Sequence, residues 1–278
     1  MVWIFITIGS VLLLTAAVIF CIAPGKVTPE ARKTAEIFKG LNCAHRGLHT
    51  EDQKTPENSI SAFKAAKEGK YGVELDVQFS KDEKIVVFHD NDLKRVCGID
   101  APVNSKDRKE LSELPLFDTQ EYIPLFTEVL EVLDDTPVIV ELKSAGSNNK
   151  KLCEATLSIL RKQGKYWCIE SFDPRIVAWF RKNAPDVLRG QLSNPPKDMK
   201  GISVINKFLL GYMLLNFISR PHFIAYSNDP HPLTVKLCRA MKPINVIWTV
   251  HPNHDIKKCE KENDTIIFEY YKPTPRFE

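Results

Sequence analysis

From residue 42 onward, short β-rich runs alternate with runs of helical period, and this alternation admits very few architectures. The β-rich runs are Asn42–His45, Val73–Phe79, Pro137–Leu142, Tyr166–Ser171, Val187–Leu192, His222–Tyr226, Asn245–Val250 and Thr265–Tyr270. Between them, Ser59–Lys67 carries Ile60, Phe63 and Ala66 on one helical face, and Phe126–Leu133 carries Val129, Leu130 and Leu133. Asn148–Lys162 carries Leu152, Ala155, Ile159 and Leu160, and Pro174 suits the first turn of a helix over Arg175–Asn183. Units of strand then helix bring successive strands in parallel, and eight of them in about 250 residues favour a closed (β/α)8 TIM barrel over an open doubly wound sheet. One further run, Lys84–His89, follows Val73–Phe79 across Lys81-Asp82-Glu83 and reads as its hairpin partner.

Residues 1–24 stand outside this pattern. From Val2 to Ala23 there is no charged side chain, and only Thr7, Gly9, Ser10 and Thr15 interrupt the apolar run. As a helix the run would span about 33 Å, enough for a bilayer core, and Pro24-Gly25 ends it. There is no basic stretch before it and it is too long for a signal-peptide core, so an uncleaved transmembrane anchor is expected over residues 1–24. Residues 25–40 then read as a linker and 41–278 as the barrel domain. Lys26, Arg32, Lys33 and Lys39 all follow the apolar run, which predicts a single-pass protein of the cell membrane with a cytoplasmic barrel.

Two stretches interrupt the alternation. Cys97–Pro124 reads as a polar connection with a Leu-rich turn at Leu111–Leu116. Gly201–Phe223 is strongly apolar, and reads either as an ordinary buried helix or as a helix that meets the membrane surface or covers a lipid-facing site.

Composition removes other classes. Lysine and arginine exceed aspartate and glutamate by 38 − 35 = 3, too little for a nucleic-acid binder. The seven cysteines include no C-x-x-C pair, which argues against a zinc or thioredoxin-type centre, and size and spacing exclude a disulfide scaffold.

The chemistry-bearing side chains gather at the ends of the early strands. His45 and Arg46 close the first run. Glu74 and Asp76 lie two apart on the second, so they share a face. Inside a barrel two such carboxylates need a cation or a strong donor, and oxygen ligands suit Mg²⁺ or Ca²⁺. Glu141 and Lys143 repeat the pattern one strand later, and Glu141 would complete a three-carboxylate site. His89 ends the hairpin, where Asp90 would orient it or simply open a turn. Asn58 or Ser59 can cap the following helix, and Glu57 reads equally well as a surface charge. Together these place two histidines, three carboxylates, an arginine and a lysine at the carboxyl ends of the strands, where barrel enzymes keep their sites.

In order along the chain, His45-Arg46-Gly47, Pro56-Glu57-Asn58-Ser59 with Ala62-Phe63, Glu74-Leu75-Asp76-Val77, Ser80-Lys81-Asp82, Val86-Val87, His89-Asp90 and Leu93-Lys94-Arg95 form one run that resembles the glycerophosphodiester phosphodiesterase family. Ile123-Pro124-Leu125 with Glu128-Val129-Leu130, Glu141-Leu142-Lys143, Ser171-Phe172-Asp173-Pro174 and Trp248-Thr249-Val250 continue the resemblance, which covers about residues 41–275. It implies a TIM barrel that hydrolyses glycerophosphodiesters to glycerol 3-phosphate and an alcohol. It implies one divalent cation on Glu74, Asp76 and Glu141, catalytic His45 and His89, and phosphate contacts from Arg46 and Lys143. The chain departs from the family in having His251 after Trp-Thr-Val, and Phe268-Glu269-Tyr270-Tyr271-Lys272-Pro273 in place of an ending such as Thr-Asp-Tyr-Pro; both departures bear on substrate selection.

The expected chemistry is general acid–base catalysis by the two histidines beside a cation that offsets the phosphate charge, with Trp248 as an apolar wall for the glycerol carbons. Two alternatives accompany it. One is a lysophospholipid-cleaving phospholipase D of the same barrel superfamily, and the other a catalytically silent, membrane-tethered lipid-binding protein. The expected partners are the diester or lysophospholipid and the membrane, the latter through the N-terminal helix and the apolar stretch 201–223, and not nucleic acid.

Overall fold

The computed structural model describes residues 2–277 apart from residue 145; residue 1 of the expected anchor and residue 278 of the expected barrel domain lie outside it. In chain order the elements are α1 (Val2–Ile22), α2 (Pro29–Phe38), β1 (Asn42–His45), α3 (Ile60–Glu68), β2 (Gly72–Phe79), β3 (Ile85–Val87), α4 (Lys94–Cys97), α5 (Arg108–Leu111), α6 (Phe126–Leu133), β4 (Val138–Leu142), α7 (Asn149–Gln163), β5 (Trp167–Ser171), α8 (Pro174–Asn183), β6 (Arg189–Ser193), α9 (Val204–Gly211), α10 (Asn216–Ser219), β7 (Phe223–Ser227), α11 (Leu233–Ala240), β8 (Ile244–Val250), α12 (Ile256–Glu262) and β9 (Thr265–Phe268).

Eight strands, β1, β2, β4, β5, β6, β7, β8 and β9, run parallel in that order, and β1 pairs with both β2 and β9, so the ring closes. This is the expected TIM barrel. Strand alternation sorts the side chains. Val73, Leu75 and Val77 of β2 face outward into a layer shared with Phe63 of α3 and Phe126, Val129 and Leu133 of α6. Their even-numbered neighbours Glu74 and Asp76 therefore face the barrel interior. Lower in the interior, Cys43, Ile139, Cys168, Leu188, Phe223, Val246 and Ile267 form an apolar floor.

That floor is closed from below by α2. Thr28 caps it, its hydroxyl accepting from the Ala31 amide at 3.2 Å, and Pro29 sits in the first turn where no amide is needed. Ala31, Ala35 and Phe38, spaced by four and three residues, bury one stripe against the floor. The stretch 25–40, read from the sequence as a linker, thus holds a packed helix.

The β3 hairpin lies antiparallel to the upper part of β2, pairing Val77 with Val87. The segment that follows is not merely a polar connection: Val86, Phe88, Leu93, Val96, Val103, Leu111, Leu116 and Ile123 bury a small core of their own. Gly201–Phe223 forms two helices, α9 and α10, rather than one. Gly211 packs on Pro196 and the Ser193 hydroxyl donates to the Leu210 carbonyl, while Val204 and Ile205 are 81% and 71% exposed. It is therefore not an ordinary buried helix but a half-buried one with an apolar outer face.

Helix α1 is exposed over residues 2–17 and meets the barrel only at its last turns. Ile22 is buried with Met213, Ile224, Tyr226 and Val235. Asn216 donates to the Ile22 carbonyl at 3.0 Å, Arg220 donates to the Ala23 carbonyl at 2.8 Å, and the Arg220 guanidinium lies 4.6 Å from the Phe20 ring centre. Gly25 is required at the exit, because a Cβ there would stand 2.4 Å from the Arg220 carbonyl oxygen.

Candidate active site

The inward residues of β2 and β4 bring three carboxylates together. Asp76 is registered with Glu141, Glu74 lies one inward step below Asp76, and oxygens of all three fall within 4.8 Å of one another. All three are buried. Burial pushes the Glu74 carboxyl well above its usual range, and Asp76, Glu170 and Glu141 add to this. Burial likewise pushes Glu141 up to about 7, against the pull of Lys143. Asp76 goes the other way: burial opposes its ionisation, but Lys143, His89 and Arg46 together hold it well below the usual carboxylate range. The Lys143 ammonium stands 3.1 Å from Asp76 Oδ1 and 3.0 Å from Glu141 Oε1, so a cation already sits against two of the three carboxylates.

A histidine flanks the cluster on each side. His45 ends β1, and its Nδ1 lies 2.5 Å from Glu269 Oε1, just beyond β9. Burial would raise Glu269, but His45 and then His49 hold it ionised far below the usual range, so Nδ1–H donates and Nε2 is left facing Glu74 Oε2 at 3.7 Å. His89 is fixed by the hairpin turn. The Gln78 amide donates to the carbonyls of Phe88 and Asp90 at 2.8 Å each, and the Phe88 amide donates to the Asp76 carbonyl at 3.0 Å. His89 Nδ1 meets Asp90 Oδ1 at 2.7 Å, and Arg95 holds Asp90 from behind. Burial lowers both imidazoles: Arg46 reinforces the shift at His45 against Glu269, and Asp76 opposes it at His89.

Arg46 follows β1 with a left-handed backbone, φ 54°, which folds the chain over the site. Its amide donates to Glu74 Oε2 at 3.3 Å, its Nη1 donates to Glu57 Oε1 at 2.7 Å, and its Nε stands 3.6 Å from Asp76. Glu57 is buried and also takes two bonds from Arg95, so it is a brace for Arg46 and not a surface charge. Asn58 donates to Asp76 Oδ2 at 2.9 Å, and Ser59 rather than Asn58 caps α3.

The structure thus gathers His45, Arg46, Glu74, Asp76, His89, Glu141 and Lys143 at the carboxyl ends of β1, β2 and β4. Trp248 of β8 sits across the ring, edge-to-face on Phe172 at 5.7 Å. Three further members carry no local sequence signal of a site role. In the sequence Glu269 is only a departure from the family ending, yet it contacts His45, His49 at 3.3 Å and His251 at 3.8 Å. His49 is buried against it. Glu170 is inward on β5 in register with Glu141, a position that the period of two along Tyr166–Ser171 already marked.

Residues 45–269 match the Glycerophosphoryl diester phosphodiesterase family. A glycerophosphodiester phosphodiesterase from Caldanaerobacter subterraneus subsp. tengcongensis is 37% identical over 113 residues, 38% of this chain and 45% of that protein. Lysophospholipase D GDPD1 from Homo sapiens is 31% identical over 144 residues, 46% of this chain and 43% of that protein. The chain thus spans about half the length of the curated relatives it matches. The crystal structure of a glycerophosphodiester phosphodiesterase from Thermotoga maritima superposes with a TM-score of 0.63 at 27% identity, covering 82% of this chain and 93% of that one.

Proposed function

The chain belongs to the glycerophosphoryl diester phosphodiesterase family, and from that premise we propose that it hydrolyses a glycerophosphodiester to glycerol 3-phosphate and an alcohol, with one divalent cation, Ca²⁺ or Mg²⁺, as cofactor. The observation that carries this reading is a cluster of three buried carboxylates between two histidines, each backed by its own carboxylate. The donor set fits a hard divalent cation. It is all oxygen, the three carboxylates are buried, and Lys143 already lies 3.1 Å from Asp76 Oδ1 as a stand-in charge. Glu74, Asp76 and Glu141 would hold the ion, and its chemistry there is to draw charge from a non-bridging phosphate oxygen.

The chain's own groups do the rest. Arg46 and Lys143 are placed to take the remaining phosphate charge, with Glu57 fixing the guanidinium. His45 and His89 flank the phosphate position, one removing a proton from the nucleophile and the other protonating the leaving oxygen. Depressed imidazole pKa values favour the neutral base, while Glu269 and Asp90 steady the ring that takes up a proton. Trp248 offers the glycerol carbons an apolar wall.

We read residues 1–24 as the membrane anchor and 41–278 as the barrel domain, joined through 25–40, with the barrel cytoplasmic. Supporting the anchor, α1 is a 21-residue helix of mean hydropathy 2.6 with none of its spanning window buried. Exposed apolar side chains also stand on α9 (Val204, Ile205, Phe208), on α10 (Phe217, Ile218) and on α11 (Leu233, Leu237), and α10 and α11 both contact α1. Apolar exposure on helices packed beside α1 favours a second reading, in which the alcohol released comes from a lysophospholipid held at the bilayer.

Product analysis separates the two. Full-length protein with glycerophosphocholine should yield glycerol 3-phosphate and choline, lose this activity to a chelator, and regain it with Ca²⁺ or Mg²⁺. Turnover that survives chelation overturns the cation assignment. Release of choline from lysophosphatidylcholine alone makes the second reading the function.

A further inference from the structure

Glu170 has no place in the chemistry above, yet it occupies the barrel interior beside it. Asp76 is registered with Glu141, and Glu141 with Glu170, so three inward carboxyl side chains form a row across β2, β4 and β5. Neighbouring strands lie about 4.8 Å apart, which sets each member of the row against the next. Glu170 is 1% exposed, and its Oε2 is buried without a hydrogen-bond partner among the described residues. An unpartnered buried carboxyl is costly, so its surroundings must be asked what would satisfy it.

On the side away from Glu141 no described residue can. The next registered residue is Gly190, and the Phe223 ring fills the space its side chain would take, since a Cβ there would lie 1.9 Å from a ring carbon. Below lie Cys43, Cys168 and the apolar floor. Lys143 is engaged by Asp76 and Glu141. Glu170 can find charge compensation only toward the carboxylate cluster. There, four carboxyls face Lys143 and an Arg46 already shared with Glu57, so ionising all four, as a bound cation would require, leaves two negative charges for that cation to balance.

We propose that Glu170 is a fourth carboxylate of the cation site and biases that site toward Ca²⁺ over Mg²⁺. The inference rests on the reading that Glu74, Asp76 and Glu141 hold a divalent cation. Mg²⁺ takes six ligands in a tight octahedron and usually keeps waters with one or two carboxylates. Ca²⁺ accepts six to eight oxygens at longer distances, which a broad row of carboxylates supplies.

The test is calorimetric titration of chelator-treated, full-length protein in detergent with CaCl₂ and separately with MgCl₂. Wild-type protein should bind Ca²⁺ more tightly. Glu170→Gln should weaken Ca²⁺ binding about 10-fold or more and Mg²⁺ binding less, collapsing the preference. Glu170→Asp, which keeps the charge and withdraws it by one methylene, covers the case in which the glutamine variant does not fold, and should reduce the preference partway. A folded variant with the wild-type Ca²⁺:Mg²⁺ ratio overturns the assignment of Glu170 alone. Wild-type protein that binds neither ion overturns the cation reading itself and this inference with it.

Discussion

The two sides of this barrel differ in what their inward strands carry. On the arc from β1 to β5, interior positions near the mouth hold His45, Glu74, Asp76, Glu141 and Glu170. On the arc from β6 to β8 the equivalent faces hold Gly190, Leu192, Ala225 and Trp248, and the helices outside them bear the exposed apolar surface. The backbone is the same on both sides. One arc concentrates buried charge, which destabilises a fold and must be offset by something bound. The other is packed inside and apolar outside, where water gains nothing.

The sharpest way to break this comparison is to remove the histidines at the edge of the charged arc. His45→Ala and His89→Ala should each lower turnover about 10²–10⁴-fold while the melting temperature changes little. Near-normal turnover in either variant would move the chemistry off the charged arc.

A smaller effect sharpens it. Cation binding needs Glu74 and Glu141 ionised, and burial raises both, Glu141 to about 7. Protons therefore compete with the ion, so its affinity should rise with pH from 6 to 8. The gain should approach about 10-fold per pH unit for each proton released, and the share owed to Glu141 should flatten above about 7. Calorimetry at three pH values checks the sign; a flat profile would mean the arc holds its charge without strain.

The smallest effect falls on the apolar side. Ile205→Ser with Phe208→Ser removes side chains that are 71% and 51% exposed on the outer face of α9. In proteoliposomes it should lower cleavage of a membrane-borne lysophospholipid severalfold and leave soluble glycerophosphodiester cleavage unchanged. Equal loss on both substrates would mean that α9 shapes the site and not its access to lipid.

How legible this was from sequence depended on distance along the chain. The strands announced themselves by β-branched runs, and Glu74 and Asp76 by their spacing of two. The partnership of His45 with Glu269 spans 224 residues and exists only because β9 closes on β1, so no local pattern could show it. The small core after β3 has no sequence signature, because its apolar residues follow no period. The apolar stretch after β6 looked continuous, but Met213 turns left-handed with φ 55° and divides it into two helices. The last strand is two residues shorter than its β-rich run Thr265–Tyr270: after a register irregularity between Ile247 and Val250 of β8, β9 ends at Phe268 and Glu269 turns to His45.

That closure has a consequence for how activity arises during folding. A parallel ring whose first strand pairs with its last has high contact order, so its final step joins the two ends of the domain. Until β9 docks, β1 and β8 present open edges, the state most prone to pair with a second chain. In that state His45, His89 and every proposed cation carboxylate are present, but Glu269 is not in place to hold His45 Nδ1. Catalytic competence would then appear in one step with the docking of the last strand, and a nick late in the sequence would silence the enzyme without touching any residue that meets the substrate.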